Sequence, residues 1–372
     1  METHESSLFD KTILHGHRLS NRLVVAPLTR RSATLQGVPT PEMTDYYTAF
    51  AAGGFGLIIT EGTYTDDAHS QTSYNQPGIT NEQQQSGWRN VVDSVHQFNT
   101  LVICQLMHGG ALGQISEENI APSAVKPVGL KHTEPGEPAG GFPLPKAMTA
   151  DDLKNVKNGY VRAALLAYEA GFDGIELHAA NGYLFDQFIT PHTNVRTDEY
   201  GGNTPNRLRF LREVYTAIRA ALPAEFIIGI RLSESKVNDL TYRWPKGSAM
   251  ATEIFTVLKD LGASYFHIAA EGGNWARECL YADGQSSNGI AKKLTGVPVI
   301  ANGGLHNTLT AASLISSNQA NLISIGKAAI ANPNWANLIA AGQPTIPFFG
   351  ELIKPSLTLQ HTNAVLKQCE SA

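Results

Sequence analysis

Three residues of this chain, His178, Asn181 and Tyr183, are suited by type to handling protons and hydrogen bonds, and all three lie just past the apolar run of a short segment, FDGIEL. An imidazole and a carboxamide can both donate to one oxygen atom, and residues three apart share a face where the chain turns helically. Tyr183 would point away from that pair on a straight helix. Convergence of all three therefore requires an irregular turn. The polar residues that follow, Arg196, Asp198, Tyr200, Asn206 and Arg207, read as braces of a loop and caps of a helix.

Other chemically capable side chains also sit where apolar runs end. Arg231 closes the run FIIGIRL, and a buried guanidinium needs an anionic partner, either an acid or a ligand; its place at a strand end favours a ligand. Gly303, Gly304 and Gly326 form glycine turns after two later runs, and Lys327 adds a cation beside the last of them. Such turns bind phosphate through backbone N–H groups at the open face of many barrels. Pro27 and Thr29 follow the first run and Gln105 ends the third. His108 either lines the same mouth or bonds locally.

The elements that must position these residues alternate along the chain. Apolar strand patterns at 22–30, 55–60, 100–106, 172–178, 226–232, 265–270, 297–302 and 320–326 are separated by helical patterns at 41–54, 81–98, 149–171, 206–222, 248–262, 289–296 and 308–318. Eight repeats of strand and helix predict an α/β fold, a closed (β/α)8 TIM barrel read as one domain over 1–372, with its chemistry where the strand C-terminal ends converge. No GxGxxG follows the first strand, which argues against a dinucleotide-binding open sheet. A Gly/Pro-rich excursion at 106–147 interrupts the rhythm after strand three; it is expected to be either a lid or small hairpin at the mouth or a plain surface loop.

Composition narrows the function classes. With 42% hydrophobic and 16% charged residues and a formal charge of -5, the chain has no broad positive field for nucleic acid, and a small-molecule partner is expected. Apolar stretches fall short of a membrane span and the start METHESSLFDK lacks signal-peptide character, so a cytoplasmic protein is expected. The three cysteines, Cys104, Cys279 and Cys369, are far apart and form no CxxC pair, so no disulfide framework, zinc site or iron–sulfur cluster is expected. Cys104 reads as a small core residue. Monomer and homo-oligomer stay open.

Taken together, APLTR (26–30), ITEGT (59–63), QPGI (76–79), QLMHGG (105–110), HAANGYLFDQF (178–188), TPHTNVRTDEYGGNTPNRLRF (190–210), IRLSE (230–234), IANGG (300–304) and IGKAAIANP (325–333) resemble the Old Yellow Enzyme family of FMN-dependent oxidoreductases over nearly the whole chain. The resemblance implies FMN at the C-terminal mouth of the barrel. Pro27 and Thr29 would contact the isoalloxazine, Gln105 its pyrimidine part and Arg231 the N1 and O2 edge, while Gly303, Gly304, Gly326 and Lys327 would hold the phosphate. It further implies that NADH or NADPH reduces the flavin, which then reduces the C=C bond of an activated alkene, an α,β-unsaturated carbonyl or nitro compound. In that scheme His178 and Asn181 hold the substrate oxygen, flavin N5 delivers hydride, and Tyr183 supplies the proton.

Three residues depart from the family pattern. Lys327 stands where an arginine is usual, replacing a bidentate phosphate contact with a point charge; Ala111 and Met107 also differ, which bears on substrate shape. Other readings are an NAD(P)H oxidase or nitro-compound reductase on the same scaffold, a phosphate-binding TIM-barrel isomerase or aldolase, and a non-catalytic flavin-binding barrel. The dienoyl-CoA reductase relatives need cluster-binding cysteines and a second nucleotide domain.

Overall fold

A computed structural model describes residues 5–116 and 118–370; the first four residues of the polar start segment lie outside the described residues. Eight parallel strands, β1 (Leu23–Val25), β2 (Leu57–Ile59), β3 (Leu101–Met107), β4 (Gly174–Asn181), β5 (Ile227–Lys236), β6 (Tyr265–Ala269), β7 (Val299–Ala301) and β8 (Leu322–Ile325), pair in sequence order. β8 pairs back to β1, so the sheet closes on itself as the (β/α)8 barrel that the alternation predicts.

Period-two alternation divides each strand between two cores. Residues such as Ile58, Cys104, Ile175, Leu177, Ile230 and Phe266 face outward and join the helices in one large apolar cluster. Inward-facing Val24, Leu57, Ile59, Ile103, Ile227, Tyr265, Ile300 and Leu322 form a second cluster inside the barrel. Beyond that layer the inward positions turn polar, with Gln105, Glu176, His178, Arg231, His267 and Ser324 all buried. An apolar floor therefore supports a polar mouth.

Local signals in the sequence set the helix starts. Thr149 opens Ala150–Glu169 with a capping box, its hydroxyl accepting from the Asp152 amide while the Asp152 carboxylate accepts from the Thr149 amide. The Asn81 side chain caps Glu82–His96 by accepting from the Gln83 and Gln84 amides. The short helix Thr204–Arg207 is capped by Asn203, whose side chain accepts from the Asn206 amide.

The structure adds elements that periodicity did not show. A hairpin, Thr12–Leu14 with His17–Leu19, closes the N-terminal end of the barrel, where Leu14 and Leu19 join the inner apolar cluster. Within the excursion, Ile120–Ala121 pairs in parallel with Lys146–Ala147 and a single antiparallel bridge joins Leu130 to Gly141, so the segment is closed at its base without forming a regular hairpin. Arg31, in the loop after β1, holds the excursion through ion pairs to Glu134 and Glu137. Among the described residues, no helix is long and apolar enough to cross a membrane.

The barrel plug carries a direct test. Leu14→Ala should destabilise the protein by about 2–5 kcal/mol through the lost burial and the cavity left behind. Ile13→Ala, at a neighbouring side chain that is 64% exposed, should change stability by less than about 0.5 kcal/mol. Urea unfolding of both variants checks the pair.

Candidate functional site

The polar layer is assembled around Glu176. On β4, Glu176 and His178 face inward at alternate positions between outward Ile175, Leu177 and Ala179. Glu176 accepts from Gln105 Nε2 of β3 at 2.8 Å, and from the Tyr265 hydroxyl and His267 Nδ1 of β6 at 3.0 Å each. Tyr265 reaches across β5 to do so, passing over Gly229, where a Cβ would fall 2.1 Å from the tyrosine Cζ. Glycine is required there by that close approach.

Charge states follow from the contacts. Burial pushes the Glu176 carboxyl up, but His267, Arg231 and the Gln105 amide outweigh it and hold the group below the ordinary carboxylate value. Burial, reinforced by the Arg231 charge, pushes His267 down to about 4. An ionised carboxylate beside a neutral imidazole makes Nδ1–H the donor to Glu176 and leaves Nε2 for the Ser324 hydroxyl, 2.9 Å away on β8. One Arg231 terminal nitrogen lies 3.2 Å from both His267 ring nitrogens. The expected anionic partner of Arg231 is thus partly protein, since Glu176 and Glu271 both favour its charged form, yet its Nε is buried with no hydrogen-bond partner.

The proposed working trio is brought together only in part. His178 and Tyr183 are adjacent, with ring centroids 5.1 Å apart. Burial and the Arg231 charge push His178 down to about 3, so it is neutral at pH 7, and its Nδ1 is buried without a partner. The Tyr183 phenol is raised above its ordinary value by burial and by the Glu271 charge, and so stays protonated. Asn181 is not related to His178 by helical spacing, because the chain is still a strand at Asn181. The turn comes immediately after, with φ of 63° at Asn181 and 87° at Gly182, and this irregular turn is what carries Tyr183 to the His178 side. The Asn181 amide donates to Glu271 Oε2 at 2.7 Å, while its Oδ1 is buried and unpartnered.

The remaining candidates lie around the same mouth. Pro27 is half-buried and Thr29 exposed, directly after β1. Gly303 has a φ of 117°, and a Cβ there would fall 2.5 Å from that of Ala270; Gly304 has a φ of 70°, with the Gly273 carbonyl 2.6 Å from where its Cβ would be. Protein neighbours alone therefore demand both glycines. Gly326 differs: a Cβ there would make only ordinary van der Waals contact, 3.4 Å from Leu28 Cδ2 and 3.8 Å from the Ala26 Cβ, so packing does not require glycine. Lys327 follows, exposed, with its Nζ 5.7 Å from the centre of the Phe348 ring.

The structure decides several of the roles that the sequence left open. β5 does not end at Arg231 but runs on to Lys236 with an irregular register after Leu232. His108 bonds locally, accepting from the Gly110 amide through Nδ1 at 3.0 Å. Arg196 braces its loop by pairing with Asp198 and donating to the Pro122 and Met148 carbonyls. Glu176, His267 and Glu271 were missed. For the first two a signal existed: a polar residue at every second position of an apolar strand, in FDGIELH and YFHIAA, marks the inward face.

Residues 7–345 match the family described as NADH:flavin oxidoreductase / NADH oxidase. The chain is 34% identical over 353 residues to a probable flavin mononucleotide-dependent alkene reductase of Leishmania infantum, covering 89% of this chain and 90% of that protein. It is 33% identical to 12-oxophytodienoate reductase 7 of Oryza sativa subsp. japonica, over 89% of this chain and 86% of that one. Among solved structures, the old yellow enzyme homologue of Zymomonas mobilis superposes with a TM-score of 0.81 at 30% identity, over 91% of this chain and 94% of that one.

The depressed His178 pKa has a consequence for acid stability. Below about pH 6.5 the unfolded chain protonates this imidazole, whereas the folded protein does so only near 3. The unfolded state then binds more protons, so stability present above pH 6.5 is lost as pH falls through that window. His178→Gln should lose less stability between pH 6.5 and 4 than the parent, as measured by denaturant unfolding at each pH.

Proposed function

The chain belongs to the NADH:flavin oxidoreductase / NADH oxidase family, and from that premise we propose that it is an FMN-dependent ene-reductase that uses NADH or NADPH to reduce the C=C bond of an activated alkene. The observation that carries this reading is a set of buried polar atoms without partners, His178 Nδ1, Asn181 Oδ1 and Arg231 Nε, on the paired strands β4 and β5, with the neutral Tyr183 phenol beside His178. Buried polar atoms left unpaired in the protein suit groups supplied by a ligand.

The residues present fit FMN. Arg231 Nε offers a donor to an electron-rich ring edge. With its Nε2 committed to Glu176, Gln105 keeps its carbonyl oxygen as an acceptor for a ring N–H. Pro27 and Thr29 would flank the ring, and Gly303, Gly304, Gly326 and the Lys327 cation would hold the phosphate. Bound there, FMN would supply the hydride chemistry that links nicotinamide to alkene.

The protein's own part is polarisation and proton delivery. A neutral His178 donates one N–H to a carbonyl or nitro oxygen. Asn181 can add a second donor, because Glu271 takes only one of its two amide hydrogens. Both bonds strengthen as negative charge builds on that oxygen, which lowers the barrier rather than merely binding substrate. Tyr183, held protonated, gives its proton to the α carbon.

Purified protein loaded with FMN should be yellow, bleach with NADH or NADPH under anaerobic conditions, and regain colour with 2-cyclohexenone. Failure to take up FMN would overturn the proposal; reoxidation by oxygen alone would assign an oxidase instead. Tyr183→Phe should slow reoxidation by the enone by about 10²–10⁴-fold, the usual contribution of a positioned general acid, with flavin reduction by nicotinamide largely retained. Stopped-flow measurement of the two half-reactions separates these outcomes.

A further inference from the structure

The turn that presents Tyr183 contains two successive left-handed residues, Asn181 and Gly182. Asparagine tolerates that region and glycine enters it freely, so neither residue by itself specifies the conformation. Something outside the turn must select it.

The Gly182 amide donates to Asp186 Oδ2 at 2.6 Å. Both Asp186 oxygens accept from Lys236 Nζ, at 2.8 and 2.7 Å, and Oδ1 also accepts from the Thr190 hydroxyl at 3.1 Å. Lys236 arrives from the end of β5, in register with Asn181 itself. Its ammonium also donates to the Glu234 carbonyl at 3.2 Å and lies 4.5 Å from the centre of the Tyr242 ring. Lys236 and Asp186 are 4% and 1% exposed.

Burying such a pair is a poor way to gain stability, because the desolvation of two charges offsets most of their attraction. Its geometry, by contrast, is specific: the carboxylate is aimed at the one amide between the two residues that flank the site. The turn is closely packed at its glycine, where a Cβ would fall 2.8 Å from Asn238 Oδ1 and 3.2 Å from both Leu112 Cδ1 and Lys236 Cβ, and a cavity of about 50 Å³ adjoins Gly182, Gln187, Thr190 and Lys236.

We propose that Lys236, acting through Asp186, is a positioning residue that locks the Asn181–Gly182 turn and so holds the Tyr183 phenol and the Asn181 amide on the His178 side of the mouth. This rests on the reading of Tyr183 as proton donor. Lys236 touches neither substrate nor cofactor in this role; it acts by excluding the turn's other conformations.

The test is a double-mutant cycle on the FMN-loaded full chain, comparing the parent, Lys236→Met, Tyr183→Phe and the double variant. Rapid mixing of the reduced protein with 2-cyclohexenone gives each reoxidation rate. Lys236→Met should slow reoxidation by about ten- to a hundredfold, the scale on which small misplacements act, while flavin reduction by NADPH or NADH stays within about twofold. In the Tyr183→Phe background the same substitution should slow reoxidation by clearly less, since of the two groups it positions only the Asn181 amide remains. Lys236→Arg, which keeps a cation for Asp186, should restore most of the rate. Equal slowing in both backgrounds, or a lowered Tm with unchanged reoxidation, would overturn the proposal and leave the pair a structural one. If Tyr183→Phe alone leaves reoxidation unchanged, the donor reading fails and this proposal falls with it, which the single variant reveals separately. A measurement on the parent protein covers a variant that does not fold: hydrogen exchange at the Gly182 amide should be strongly protected, and rapid exchange there would rule the clamp out.

Discussion

The carboxylate of Glu176 is withdrawn from water inside the barrel, and the mouth takes its form from the need to satisfy it. An isolated buried charge would be prohibitive, so donors must reach it from wherever the strands allow. Gln105 does so from the neighbouring strand, and Tyr265 and His267 from two strands away. Those demands propagate. Tyr265 requires a glycine at 229, His267 is fixed in one tautomer, and Arg231 rests against the imidazole with part of its charge balanced from below. The orientation of the Gln105 amide and the placement of the Arg231 guanidinium are therefore set before any ligand arrives.

Strand register does the second part of the positioning. β4 and β5 pair regularly from Gly174 with Ile227 up to Ala179 with Leu232, so that His178 and Arg231 stand side by side. The regular ladder then fails, and Asn181 meets Lys236, with extra β5 residues bulging between. The bulge is used: Ser233 Oγ accepts from the Asn181 backbone N–H at 2.7 Å, and the Ser235 hydroxyl donates at 2.6 Å to Glu278 in the short helix Trp275–Cys279 after β6. Irregular backbone appears where side chains must be re-aimed and stays regular where they only pack.

The loop after β1 is anchored on the opposite side of the mouth. Glu61 accepts from the amides of Arg30 and Arg31 at 2.9 and 3.3 Å, and burial lifts its pKa to about 7. Arg30 then donates to the Leu357 carbonyl at 3.0 Å in the C-terminal segment, while Arg31 pairs with the excursion. The Leu357 amide closes the circuit by donating to Glu134 of the same excursion at 2.8 Å. Three segments distant in sequence are thereby tied to the loop that carries Pro27 and Thr29.

The eight-fold strand and helix pattern was legible in the sequence because both periodicities are local: alternation in FDGIELH and the helical spacing in NRLRFLREVYTAIRAAL need no distant partner to be read. The polar residues at the strand ends were legible for the same reason, and the long motif from His178 to Phe210 was specific enough to identify the family by resemblance. What only the tertiary structure decided is where those groups converge. Whether Arg231 meets an acid, whether Asn181 is bonded to Glu271, and how Tyr183 comes beside His178 all depend on register between strands fifty or more residues apart and on a turn selected by Asp186 and Lys236. Local sequence sets which conformations a residue such as Asn181 or Gly182 can adopt. The choice among them is made by hydrogen bonds from elsewhere in the chain, and those exist only once the barrel has closed.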